Sequence, residues 1–314
     1  MRGAVSAGMC VVLEAARLVG AFDRVYGVSA GALNGCALAA GQAALSATYY
    51  QDVARRRVIN RMRPVLGRPV VDFDLLFQDV IAARKPLSFE ALAAGPEFRA
   101  LATSLETRSL RVLEGFADIG EAMDAVRASA SLPGLGGQAP VFGGERLTDG
   151  GLIEPIPFET AIAEGATHVL VLRSRPAGYR KPQLTGLGDS IAVRRIPGLV
   201  ELLKDRNHTY NRQADVLEQN PSGNGNGAHV LQVAVPDQSR LIRRLEANNE
   251  RVVDALRLGA KAMARAVLSE PIDLCWQPVV YRTPLGAEEQ DAKQPLRQPS
   301  MPVDPKQPAE SLTI

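Results

Sequence analysis

Histidine is scarce in this chain of 314 residues: there are three, at positions 168, 208 and 229. A reaction that needs proton transfer must use one of them or do without imidazole. Cysteine is equally scarce, and Cys10, Cys36 and Cys275 have neither metal-ligand nor redox spacing. An odd number of thiols without such spacing fits a reducing compartment, so a cytoplasmic setting is expected, with no metal and no cofactor. No apolar run approaches the roughly 18 residues that a membrane-spanning helix needs. The start also lacks a basic region followed by a leucine-rich segment. A net charge of +2 is too small to indicate a nucleic-acid binder.

What is present is a composition able to bury a large core, 46% hydrophobic. Apolar residues recur at helical spacing over about 4–20, and a short strand at Arg24-Val25-Tyr26 leads into a helix reaching about Ala40. Residues 45–100 read as less regular, with turn signals at Gly67, Pro69, Pro86 and Pro96. Residues 98–114 predict a hairpin around Glu106-Thr107-Arg108, followed by a helix from Ile119 to Ser129. A helix from Pro157 to about Glu164 precedes the apolar run Thr167–Leu172, the pattern of a strand buried on both faces. A second such strand is expected at His229–Val235, and a long amphipathic helix from about Ser239 to Leu268. This alternation predicts an α/β layer architecture for residues 1–270. Eight prolines in the last 44 residues predict a mostly disordered tail over 271–314. Six arginines and no acid between Arg55 and Arg68 make a cationic stretch. It is either a solvated helix face or, through Arg55, Arg56, Arg57, Arg61 and Arg63, a peripheral contact with anionic lipid headgroups.

The chemistry centres on the pentapeptide Gly27-Val28-Ser29-Ala30-Gly31, placed between a strand and a helix. Strand, sharp turn and helix are the context in which such a serine acts as a nucleophile. The flanking glycines permit the tight turn, and the helix start favours developing negative charge. The elbow lies very near the chain start, which argues against an α/β-hydrolase, where several strands precede it. The base could be a histidine: His168 and His229 open strand runs and His208 lies in a polar helix, so a Ser-His-Asp esterase is one reading. The other partner is Asp149, in Asp149-Gly150-Gly151, a motif that also reads as an ordinary hairpin turn.

Together with Ala128-Ser129-Ala130-Ser131-Leu132-Pro133, these blocks resemble the patatin-like phospholipase family over about residues 2–270. The stretch from Asp149 through Pro157 to Arg175-Pro176-x-Gly178-Tyr179-Arg180 is similar to a bacterial subgroup. The resemblance implies a three-layer α/β/α fold with a largely parallel central sheet. It implies a Ser-Asp dyad of Ser29 and Asp149 that cleaves carboxylic esters of lipids through an acyl-serine. Aspartate is a weak base near neutral pH, so the site must favour proton uptake in the transition state.

The family's Gly-Gly-Gly-x-Arg-Gly oxyanion loop is matched here only at its end, by Met1-Arg2-Gly3, and the first strand is missing. Arg2 and the Gly3 N–H are then the residual oxyanion donors. The expected explanation is a longer protein in which Met1 takes the loop's x position. The alternative is a catalytically impaired lipid-binding or interaction protein.

Overall fold

The computed structural model describes residues 1–132, 136–182, 199–219, 228–236 and 242–267. All of these belong to the compact unit Met1–Trp276. The boundary expected after residue 270, the tail 271–314 and Pro133 lie outside the described residues.

Helix α1 (Gly3–Ala15) is rich in Ala, Val and Gly, and ten of its 13 residues are buried. After β1 (Arg24–Val28), the small-residue run Ala30–Ala39 forms α2, and α3 (Ala43–Arg55) follows. The section expected to be irregular is largely helical beyond this point. It holds a π-helical segment, Leu75–Arg84, and α4 (Phe89–Ala94), whose first turn is capped by Ser88 Oγ accepting the Ala91 N–H at 3.1 Å. The irregularity is confined to a loop that turns at Gly67 with φ +68°.

Strand β2 (Glu97–Ser104) organises the sheet. It pairs antiparallel with β3 (Leu110–Leu113) as the expected hairpin, and parallel with β1. Helix α5 (Ile119–Ala130) then leads through β4 (Val141–Phe142) to β5 (Glu145–Asp149), which pairs antiparallel with β2. Residues 100 and 101 of β2 pair with both β1 and β3, and residues 102 and 103 with both β3 and β5. Since a residue has only two edges, β1 and β5 must occupy the same edge of β2, end to end.

Helix α6 (Phe158–Ala163) precedes β6 (His168–Leu172), which pairs parallel with β7 (His229–Val233). Alternate β6 residues face opposite ways. Leu170 and Leu172 pack with α1, while Val169 and Val171 pack with Phe158 and with Tyr210, Ala214 and Leu217 of α7 (Leu199–Gln219). The result is a mixed α/β fold with parallel strands at its centre and helices on both faces. Among the described residues nothing pairs with the other edge of β1; that edge and β6 both line one large cavity.

The last helix, α8, runs Asn249–Val267, starting later than the expected Ser239. Asn248 Oδ1 accepts the Arg251 N–H at 3.1 Å, and Glu246 Oε1 accepts the N–H groups of Ala247 and Asn248, both at 3.1 Å. These caps place the helix start at 249. α8 crosses α1 at two glycines. A Cβ on Gly8 would stand 1.9 Å from the Leu256 carbonyl oxygen, and one on Gly259 would stand 1.8 Å from that of Val5. Gly8→Ala and Gly259→Ala should each lower stability by about 1–3 kcal/mol, measured by urea unfolding. At an uncrowded helix position the same change stabilises by up to about 1 kcal/mol, so the sign tests the crossing.

Candidate active site

Ser29 stands where β1 gives way to α2, with φ +56° and ψ −127°. A non-glycine residue is rarely held there, and such strain is characteristic of functional turns. Gly27 is required by space: its Cβ would lie 2.5 Å from Ala32 Cα and 2.6 Å from the Gly31 oxygen. Around Gly31, by contrast, there is open space. Val28 and Ala30 flank the serine and line the cavity with it.

The register on β2 brings the two motifs together. Val28, the last residue of β1, is opposite Leu101, and Asp149, the last of β5, is opposite Ala102. Ser29 therefore leaves the edge of β2 where Asp149 arrives at it. The end of α5 ties both sides of this junction. Ser129 Oγ accepts the Ser29 N–H at 2.9 Å and donates to the Leu101 carbonyl at 2.6 Å. Two residues on, the Ser131 carbonyl accepts the Asp149 N–H at 2.8 Å and the Thr148 hydroxyl at 2.6 Å. These positioning roles of Ser129 and Ser131 were not legible in sequence, where the block carried only a family likeness.

Asp149 is buried, and its Oδ1 accepts the Gly151 N–H at 2.8 Å. Gly150 lies so close to Leu101 that a Cβ would stand 2.1 Å from the carbonyl oxygen. No hydrogen bond joins Ser29 Oγ to Asp149 in this structure; the two line one cavity of about 1110 Å³.

Two helix starts meet beside Ser29. A Cβ on Gly3, the first residue of α1, would stand 2.6 Å from Ala30 Cβ at the start of α2. A buried polar network fixes this approach. Asn34 Nδ2 donates to the Gly3 carbonyl at 2.9 Å and to Ser6 Oγ at 3.0 Å, while Tyr50 donates to Asn34 Oδ1 at 2.9 Å. Burial pushes the Tyr50 phenol well above its ordinary pKa, so it remains a donor.

The histidines are placed differently. His168 and His229 stack at the starts of β6 and β7, with ring centroids 5.1 Å apart, and His168 Nδ1 bonds the Thr167 hydroxyl. His208 is exposed on α7 between Arg206 and Tyr210, both of which line the cavity. Among the described residues no group of three metal-ligating side chains comes together.

Of the cationic stretch, Arg55, Arg57 and Arg61 are exposed, and Arg61 Nη2 donates to the Leu245 carbonyl at 3.2 Å. Arg56 lies near Asp52 and Asp79, and Arg63 is half-buried and paired with Asp72 at 2.6 Å. The cavity itself gathers basic side chains whose convergence the sequence did not show: Arg175, Lys181, Arg206 and Arg244, together with Arg2.

Fold and site thus define an α/β protein with a strained serine elbow beside a buried aspartate. The chain belongs to the patatin-like phospholipase family, whose pattern matches residues 1–162. It is also 26% identical over 215 residues to the uncharacterized protein YjjU of Escherichia coli (strain K12), an alignment covering 64% of this chain and 57% of YjjU. The chain therefore spans little more than half the length of that curated relative.

Lys181 provides a test of the site's electrostatics. Burial, the neighbouring Arg206, and Arg244 and Arg175 beyond it push its pKa down to about 6, against the opposing pull of Asp149. Near neutral pH the folded chain then binds fewer protons at this residue than the unfolded chain, which disfavours folding. Lys181→Met should raise the melting temperature at pH 7. The gain should shrink as pH rises toward 10, where the unfolded lysine also loses its proton.

Proposed function

We propose that this chain is a serine acyl hydrolase of lipid esters that works through a Ser29–Asp149 dyad. The observation that carries the reading is the meeting of Ser29 and Asp149 on one edge of β2. Ser29 Oγ attacks the ester carbonyl while Asp149 takes its proton and then delivers it to the leaving alcohol. Water hydrolyses the resulting acyl-Ser29 with Asp149 again as base. The backbone N–H groups of Gly3 and Ala30, at the starts of α1 and α2, are the candidate oxyanion donors, helped by the two helix dipoles. The unformed Ser29–Asp149 hydrogen bond is compatible with this, since catalytic hydrogen bonds often close only around substrate.

The acyl chain fits the part of the cavity walled by Ile59, Val71, Phe73, Leu76 and Phe77. It does not suit the part between β1 and β6, where strand-edge N–H and C=O groups call for hydrogen-bonding partners. A reading as a lipid binder with an inactive site draws on that same unformed bond. Ser29→Ala and Asp149→Asn should each lower hydrolysis of a medium-chain p-nitrophenyl ester at least 10³-fold, a loss typical of catalytic groups, while His208→Ala should keep it. A folded wild-type protein that a fluorophosphonate fails to label at Ser29 would instead be the binder.

Access to lipid is proposed to come from the loop that follows α3. Met62, Val65 and Leu66 are 68%, 76% and 74% exposed, among Arg55, Arg57, Arg61 and Arg68. Apolar tips ringed by cations suit peripheral contact with an anionic bilayer surface. The bond from Arg61 to Leu245, a cavity-lining residue, keeps this loop beside the entrance. No described helix is long and apolar enough to cross a membrane. Changing Met62, Val65 and Leu66 together to serine should weaken sedimentation with phosphatidylglycerol vesicles at least tenfold. Unchanged sedimentation would remove the loop from the docking surface.

A further inference from the structure

Of the arginines and lysines that line the cavity, Arg24 and Arg173 are paired with Glu97 and Glu218, and the other five basic side chains are drawn from four separate segments. Arg2 comes from the start of α1, Arg175 and Lys181 from the stretch after β6, Arg206 from α7 and Arg244 from the segment before α8. Among the described residues none of the five forms an ion pair with a carboxylate. This is not a general habit of the region, because the neighbouring Arg173 and Arg180 are paired with Glu218 and with Asp215 and Glu218, at 2.6–2.9 Å. Arg175 lies over the Tyr179 ring at 4.1 Å and Lys181 over the Tyr210 ring at 4.2 Å; Lys181, mostly neutral near pH 7, regains its proton when an anion binds beside it. The Nε atoms of Arg2 and Arg206 are buried without a hydrogen-bond partner. Polar groups left in that state are destabilising and invite a ligand.

The cluster adjoins the reacting groups. Arg206 Nη2 lies 3.6 Å from where a Cβ on Gly151 would stand, and that point is 2.9 Å from Asp149 Oδ1. We propose that Arg2, Arg175, Lys181, Arg206 and Arg244 form a cradle for a phosphate monoester, so that the substrate is an acyl ester whose alcohol carries a terminal phosphate. This rests on Ser29 as the nucleophile. A monoester phosphate has close to two negative charges near neutral pH and three terminal oxygens, matching several guanidinium forks at once. A choline headgroup would place a cation among cations. Burial, and after it the charges of Arg175 and Arg244, push the Arg2 pKa down to about 10.

The test compares three substrates of one acyl chain: a 1-acylglycerol 3-phosphate, the corresponding lysophosphatidylcholine and the monoacylglycerol. The phosphate monoester should be hydrolysed with at least tenfold higher kcat/KM than either of the others. Arg175→Gln and Arg206→Gln should collapse that ratio toward one, mainly through KM. A second arm measures binding by calorimetry to the Ser29→Ala protein, which holds the ester uncleaved. There the acylglycerol phosphate should bind, and Arg175→Gln should weaken it at least tenfold.

Hydrolysis of all three esters without preference would overturn the cradle and leave the hydrolase standing. Binding of the acylglycerol phosphate without hydrolysis of any ester by the wild type would support the cradle and overturn the dyad. Inorganic phosphate bound as tightly as the acylglycerol phosphate, with no substrate preference, would assign the cluster to free phosphate and overturn the substrate claim.

Discussion

One edge of β2 carries the site. β1 occupies that edge as far as Leu101, and β5 takes it over at Ala102, so the chain must turn away from it twice within one residue step. Ser29 is the turn on one side, held at positive φ, and Asp149 is the turn on the other. Neither turn is stable in isolation, because each leaves backbone donors that must be satisfied. The end of α5 satisfies them through Ser129 and Ser131. The close glycine contacts at 27 and 150 follow from the same crowding. The site is thus a consequence of two strands sharing an edge.

Around this junction the electrostatics divide sharply. Arg173 and Arg180 have carboxylate partners and serve the packing of α7 against the β6–β7 pair. Arg2, Arg175, Lys181, Arg206 and Arg244 share the cavity with Asp149, and among the described residues none of the five is paired with a carboxylate. Partly buried charges with so little compensation weaken the fold, and a fold tolerates such a cost most readily where a ligand removes it. The same cations would draw anionic substrate toward the cavity, a steering effect that weakens with salt.

Much of this was legible in the chain because it depends on short-range pattern. The elbow, the Asp-Gly-Gly turn, the hairpin of β2 and β3 and the helix ending near Ala130 each depend on residues within a few positions of one another. The apolar run Thr167–Leu172 likewise foretold a strand, but not its burial on both faces: only Val171 of β6 is buried and Leu231 of β7 is exposed, because both strands border the cavity. The later start of α8 was missed because helical periodicity continues upstream of its cap at Asn248. The arginine stretch was only partly understood, since nothing local shows that Arg63 pairs with Asp72 while Arg61 reaches Leu245.

By itself, then, the sequence determined which residues could be nucleophile and base, because a strained turn demands glycine neighbours and an apolar strand before it. It also determined the α/β layering, because hydrophobic period encodes which faces are buried. Tertiary structure alone decided that Ser29 and Asp149 share an edge, since that depends on strand register between segments over a hundred residues apart. It alone decided which arginines are neutralised and which converge on the cavity. Charge is visible in a sequence, but the distance between charges is not, and it is distance that makes a cradle.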